Sequence, residues 1–195
     1  MKKNDYVKAG RLLCYVLRHD PQYFDLEMDT QGWVKTTSLI SAINASDKKL
    51  KFKLTLELLL DIAEQDKQND KDRYEFKNYN EYIRAKQGHS LPFVKIDFED
   101  FVSTDDVYHG TSPDNLESIF KQGIVSKKRN IVHLSTDIET AFTVGRRHSR
   151  KNGKVAIIVI DNKPELNLKI SANGVVLADH IPVKYFKGVL YKNIE

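Results

Sequence analysis

The chain has 195 residues, 41% of them hydrophobic and 30% charged, with a formal net charge of +4. That length can bury a core as one domain or two lobes, and that composition excludes disorder and fibrous repeats. The charge divides evenly, 17 Lys/Arg against 15 Asp/Glu in residues 1–97 and 14 against 12 in residues 98–195, so neither half is a basic tail and a phosphate-bearing partner has to be met by a local cluster. The single cysteine, Cys14, rules out a disulfide framework or a multi-cysteine zinc site and suits a reducing compartment. Met1-Lys2-Lys3-Asn4-Asp5 lacks the apolar core of a signal peptide, and no uncharged stretch is long enough to span a bilayer, so a cytoplasmic location is expected.

In chain order, Val7, Leu12, Leu13, Val16 and Leu17 recur at helical spacing until Asp20-Pro21 stops the pattern, which leaves Arg18 and His19 at a helix exit. A turn at Asp29-Thr30-Gln31-Gly32 precedes Trp33-Val34. Thr36, Thr37 or Ser38 can then cap a short helix carrying Leu39, Ile40 and Ile43, and Thr55 opens another with Leu56, Leu59, Leu60 and Ile62. Arg73 to Phe76 and Tyr82 to Ala85, separated by a polar turn, read as a hairpin. Short helices followed by a hairpin suggest a winged helix.

Ile96 to Asp106 shows no sustained period and is acidic, so the lobe boundary is placed there: 1–97, a linker 98–106, and 107–195. Beyond it, Val107-Tyr108-His109 runs into a glycine turn, Gly110-Thr111-Ser112-Pro113, with Thr111 or Ser112 as a cap and Gly123 as the end of the following helix. Ile131 to Ser135 is a strand. Thr136 and Glu139 have capping-box spacing before a helix through about Arg147, and Val155 to Ile160 is a β-branched run expected as a buried strand.

Several clusters can carry chemistry. Arg18-His19 joins a permanent guanidinium to an imidazole that titrates near neutrality, a pair suited to holding phosphate, although such a pair also simply complements a helix C-terminus. Arg84 begins a dense set of donors, Arg84-Ala85-Lys86-Gln87-Gly88-His89-Ser90. Arg146, Arg147 and His148 end a helix, where cations are ordinary, and Lys48, Lys49, Lys51 and Lys53 read as a wet surface. His109 and His133 lie on strands without the spacing of a zinc motif, and no Walker or Rossmann glycine motif occurs, so metal and nucleoside-triphosphate chemistry lack support.

Taken in order, Leu17-Arg18-His19, Gln31-Gly32-Trp33-Val34, Ile83-Arg84-Ala85 followed by Gln87-Gly88-His89-Ser90, Tyr108-His109-Gly110-Thr111, Val132-His133-Leu134-Ser135 and Asn173-Gly174-Val175 strongly resemble the RNA 2′-phosphotransferase family across nearly the whole chain. The resemblance implies an α+β enzyme with an N-terminal winged-helix RNA lobe and a C-terminal, mixed-β, ADP-ribosyltransferase-like lobe. It maps the catalytic group onto Arg18, His19, Arg84 and Arg147, with Arg146 as the alternative to Arg147. It also assigns Gln87, His89 and Ser90 to RNA phosphate, and His109, Gly110, Thr111, Arg129, His133 and Ser135 to NAD⁺.

In the family mechanism the RNA 2′-phosphate attacks the nicotinamide-bearing ribose carbon of NAD⁺, and a ribose hydroxyl then attacks the phosphorus. The products are 2′-hydroxyl RNA, nicotinamide and ADP-ribose 1″,2″-cyclic phosphate. Arginine forks suit the accumulating negative charge, and no metal is implied. The expected partners are RNA and NAD⁺, without a membrane, for a monomeric protein. Val176, Ser149 and Ile131 depart from residues frequent in the family, all outside the catalytic group. Two rivals remain: an ADP-ribosyltransferase that stops after the first step, and a non-catalytic winged-helix binding module.

Overall fold

The computed structural model describes residues 3–46, 50, 52–69, 71–149 and 153–194; Lys48, Lys49 and Lys51 lie outside them. The architecture is mixed α and β, with small antiparallel sheets, in two compact units, Met1–Asp97 and Phe98–Glu195. Among the described residues no helix is long and apolar enough to cross a membrane.

In the first unit, α1 (Lys3–Arg18) buries Ala9, Leu13, Val16 and Leu17, one helical stripe, in a core with Leu39, Leu59, Ile62 and Ile83. Val7, expected in that stripe, is exposed. Pro21 stops α1: Asp20 leaves helical geometry and its carboxylate accepts from the Tyr23 N–H at 3.0 Å, opening a short 3-10 helix, Pro21–Phe24. The Tyr6 hydroxyl donates to Asp61 on α3 (Leu56–Gln68), and the Thr55 side chain caps α3 by accepting from the Leu58 N–H at 3.2 Å.

The other expected cap is absent. α2 (Thr36–Ala45) follows β1 directly, so Lys35, which has no side chain that can cap, stands at its start, and the Thr36 N–H donates to the Glu81 carbonyl at 2.9 Å. A three-stranded antiparallel sheet completes the unit: β1 (Val34–Lys35), β2 (Tyr74–Lys77) and β3 (Tyr82–Ala85), in the order β1-β3-β2. Its inner face presents Val34, Ile83, Ala85 and Tyr74 to the core.

In the second unit, β5 (Val107–Thr111), β8 (Lys154–Ile160) and β12 (Phe186–Asn193) form an antiparallel sheet with β8 in the middle. The central place explains why both faces of β8 are apolar: Val155 and Ile157 pack under α5 (Ile138–Ser149), while Ile158 and Ile160 join the larger core on the other side. A second sheet runs β4 (Glu99–Asp100), β9 (Lys169–Ile170), β10 (Val176–Ala178), β7 (Val132–Leu134). It meets the first through a Tyr108–Ser135 bridge. The small pair β6 (Ile124–Val125) and β11 (His180–Ile181) follows α4 (Leu116–Gln122).

Two local expectations change here. Gly110 makes no turn; β5 continues through it to Thr111, because α5 lies so close that a side chain at Gly110 would overlap the Ala141 carbonyl oxygen at 1.7 Å. The cap of α5 is Asp137 rather than Thr136: its carboxylate accepts from the Thr140 N–H at 2.7 Å, a bond that lowers its pKa.

Candidate active site

Within the first unit the expected site residues converge. Arg18 is the last residue of α1, where helix geometry ends and the Gln87–Ser90 loop crosses. The Ser90 N–H donates to the Arg18 carbonyl at 3.0 Å, and the Ser90 hydroxyl meets His19 Nδ1 at 2.9 Å. The Arg18 side chain packs beside Gly88, is only 9% exposed, and its Nε has no hydrogen-bond partner among the described residues. No carboxylate ion-pairs with it there either. Next to it, Arg11, Cys14, Tyr15, Arg18, His19 and Arg73 line a cavity of about 240 Å³. A buried cation without a counter-charge is costly, and an anion in that space relieves the cost.

Arg84 is built differently. It sits on β3 opposite Glu75 of β2, whose carboxylate accepts from its Nε at 2.9 Å, and its guanidinium lies 4.4 Å from the centroid of the Trp33 ring. One further N–H donates to the Gln31 carbonyl at 3.2 Å. With five donors in a fixed fork, these two hydrogen bonds leave three N–H groups, one on Nη1 and two on Nη2, which itself lies 2.9 Å from the Glu75 carboxylate. The Asp29 carboxylate shapes the turn that presents Gln31 and Trp33, accepting from both their N–H groups at 2.9 and 2.8 Å.

His89 lies between these parts. It is 5% exposed, and a side chain at Gly32, where φ is +80°, would meet its Nε2 at 3.0 Å. Burial, and then the charges of Arg18, His19 and Arg84, lower its pKa to about 4, so it is a neutral imidazole at physiological pH. Gln87 is buried in the same loop. Neither Glu75 nor the stacking role of Trp33 was foreseen. The Gln31-to-Val34 motif contains Trp33, but Glu75 is recognisable only once β2 and β3 are in register.

In the second unit, His109 on β5 donates from Nδ1 to the His133 carbonyl at 3.2 Å, and His133 donates from Nδ1 to the Ile131 carbonyl at 3.0 Å. Burial pushes the His109 pKa down. Neutral and protonated on Nδ1, it presents an acceptor at Nε2. Ser135 pairs with Tyr108 through both backbone groups, at 2.8 and 2.9 Å. The Thr111 side chain accepts from Asn115 at 3.0 Å. Gly110 is bound up with packing, as is Ser149, whose fully buried hydroxyl donates toward the Thr111 carbonyl at 3.2 Å and the Gly145 carbonyl at 2.9 Å. Arg129 is exposed between β6 and β7; Arg146 and Arg147 are both exposed in the last turn of α5. Among the described residues no three His, Cys, Asp or Glu side chains gather as a metal site requires.

Residues 4–180 match the family model described as RNA 2′-phosphotransferase, Tpt1 / KptA family. The chain is 40% identical over 185 residues to the "Probable RNA 2′-phosphotransferase" of Fusobacterium nucleatum, covering 93% of this chain and 97% of that one. To the proteins of the same name it is 35% identical over 187 residues in Pyrococcus abyssi, covering 94% and 95%, and 34% over 193 residues in Pseudomonas fluorescens, covering 97% and 100%. The chain therefore belongs to the RNA 2′-phosphotransferase family.

Proposed function

We propose that the chain is an NAD⁺-dependent transferase that removes an internal 2′-phosphate from RNA in two steps, as a cytoplasmic monomer. In this reading residues 1–97 are a winged-helix lobe for the RNA phosphate, and residues 107–195, with β4 from the stretch before them, are an ADP-ribosyltransferase-like lobe for NAD⁺. The observation that carries it is Arg18, a permanent cation nine-tenths buried whose Nε has no hydrogen-bond partner among the described residues, with the charges of His19 and Arg84 acting beside it on His89. Such a group is retained against its cost for an anion to be bound.

Arg18 and Arg84 orient the phosphate oxygens, Arg84 through the N–H groups of its terminal nitrogens that its neighbours leave unused. His19, anchored to Ser90 through Nδ1, moves a proton at the phosphate. Arg147, on the family resemblance, supplies a further guanidinium to offset charge at the phosphorus. His89 stays neutral among these cations, so it lines the phosphate without adding repulsion to them, with Gln87 as its neighbour.

The second unit fits a nucleotide's ribose. His109 offers a fixed acceptor to a hydroxyl, and Thr111 and Ser135 bring buried hydroxyls; Gly110, Arg129 and His133 complete the proposed set. When bound, NAD⁺ supplies a carbon with a nicotinamide leaving group and an adjacent hydroxyl. No carboxylate of this chain is required as nucleophile, because the RNA phosphate fills that role.

The test is to incubate the purified protein with NAD⁺ and a short RNA bearing one internal 2′-phosphate, then resolve products by mass. The expected result is 2′-hydroxyl RNA with equimolar nicotinamide and ADP-ribose cyclic phosphate. Accumulating ADP-ribosylated RNA shows an enzyme that stops after the first step, and unchanged RNA with folded protein overturns the proposal.

A further inference from the structure

Residues paired directly across strands, and residues two apart along one strand, share a face of a sheet. The outward face of the β1-β3-β2 sheet therefore carries two rows. One is Lys35–Tyr82–Lys77, given by the pairing of Lys35 with Tyr82 and of Tyr82 with Lys77. The other, two residues further along β3, is Trp33–Arg84–Glu75. Every position in these rows is cationic or aromatic except Glu75, and that carboxylate is taken up by Arg84 at 2.9 Å. The Lys77 ammonium lies 4.4 Å from the Trp33 ring centroid and 5.1 Å from that of Tyr82, so the two rows form one surface.

The turn that closes this hairpin extends the surface. Asn78, Tyr79 and Asn80 all have left-handed backbone, with φ of 51°, 52° and 68°. Asn tolerates that conformation, whereas an aromatic residue is disfavoured in it. Tyr79 is also 104% exposed, so its ring gains nothing from the fold in return. A turn chosen for stability alone carries Asn or Gly at such a position.

Cations interleaved with aromatic rings, one ring held out in solvent, are what an unpaired nucleic-acid strand requires: ammonium groups for the backbone and ring faces for the bases. The geometry points to this face, from Arg84 through Lys77, Tyr82 and Lys35 to Tyr79, as the track for the single-stranded nucleotides flanking the 2′-phosphate, with Tyr79 as a base-stacking residue. The inference rests on the proposed function for the identity of the phosphate at Arg84. The rise along a strand sets the two rows about 6.6 Å apart, a spacing that suits the 2′-phosphate on Arg84 and a neighbouring backbone phosphate on Lys77.

The experiment uses the full chain and a labelled 12-nucleotide single-stranded RNA with one central 2′-phosphate, with binding followed by fluorescence anisotropy between about 50 and 200 mM salt. Tyr79→Gly is expected to weaken binding about five- to tenfold, the low end for one aromatic–base stack, with a thermal transition that is raised rather than lowered. Lys77→Gln and Lys35→Gln are each expected to reduce the slope of log affinity on log salt by about 0.7, one single-strand phosphate contact. An RNA duplex of equal length is expected to compete poorly.

Wild-type affinity and salt slope in all three variants, equal competition by duplex, or no binding of the RNA by the wild type overturns the inference. If the variants bind as the wild type while the protein still removes the 2′-phosphate, this surface is wrong and the proposed function stands. If the variants weaken binding but NAD⁺ supports no phosphate removal, the surface stands and the proposed function falls.

Discussion

The Arg84 guanidinium is stacked 4.4 Å from the centre of the Trp33 ring while Glu75 fixes its edge, so its remaining donors are aimed by two residues that need not touch a ligand. Lysine reproduces the charge but neither the flat stacking nor the fork. Arg84→Lys is therefore expected to lower kcat/KM for 2′-phosphate removal by about 100-fold or more at an unchanged melting temperature. Trp33→Ala removes a buried ring and is expected to destabilise the first unit by about 3 kcal/mol, with Trp33→Phe recovering much of it. Thermal melts alongside steady-state kinetics separate the two effects; wild-type turnover in Arg84→Lys would falsify the role given to the fork.

Arg18 opposes stability to function. Replacing a buried charge that lacks a counter-charge with an apolar side chain of similar length removes a desolvation cost. Arg18→Met is expected to raise unfolding free energy by about 1 kcal/mol while phosphate removal disappears. Inorganic phosphate should raise the melting temperature of the wild type and leave that of Arg18→Met unmoved. A destabilised Arg18→Met variant would mean that the guanidinium serves the fold.

Acid sensitivity follows from His89. Its pKa is about 4 in the folded protein against an ordinary value of 6.5, so the unfolded chain binds the proton first as pH falls. The stability that depends on neutral His89 is complete above pH 6.5 and is lost progressively between pH 6.5 and 4, by roughly 3 kcal/mol at most. His109, lowered by burial, contributes with the same sign. Denaturant melts across that range should show a shallower slope for His89→Gln than for the wild type; equal slopes would remove His89 as the cause.

In the second unit, α5 approaches β5 through two glycines. A side chain at Gly145 would meet Val155 Cγ1 at 2.4 Å and the Gly110 carbonyl carbon at 2.9 Å, and one at Gly110 would overlap the Ala141 carbonyl. Single methyl groups there are expected to destabilise by about 3 kcal/mol, near the upper range for overpacking. Gly153→Ala, where no atom of the described residues lies within 4 Å of the added carbon but φ is +63°, should cost about 1 kcal/mol. Chemical denaturation of the three variants gives the order; a harmless Gly110→Ala would show that the helix can move away.

What the sequence disclosed depended on the range over which each signal acts. α1 and β8 were legible because the apolar period, or an unbroken β-branched run, is a property of the segment itself; so was Thr55, whose cap is formed three residues on. The start of α2 was misread because β1 runs straight into the helix with Lys35 at the N-cap, and the Glu81 carbonyl, 45 residues away, takes the Thr36 N–H. Two-residue strands such as Glu99–Asp100 are strands only because Lys169 and Ile170 lie beside them, so the stretch from Ile96 to Asp106 shows no period. At the site, Arg18, His19 and Arg84 were legible as residue types in ordered motifs. The neutrality of His89 and the aim of Arg84 were not, since both are produced by neighbours far along the chain.

The Gln31 amide uses both its ends on one short segment. Its nitrogen donates to the Lys95 carbonyl at 2.7 Å and to the Asp97 carboxylate at 3.1 Å, and its oxygen accepts from the Asp97 N–H at 3.0 Å. The carbonyl of the same residue receives Arg84. Hydrolysis of that one amide, a slow lesion of ageing protein, would set a second carboxylate against Asp97 and turn a donor into a repelling charge. The strain would fall on the turn that holds Arg84, so chemical ageing at a residue that need not meet substrate would be felt as a loss of turnover before any loss of fold.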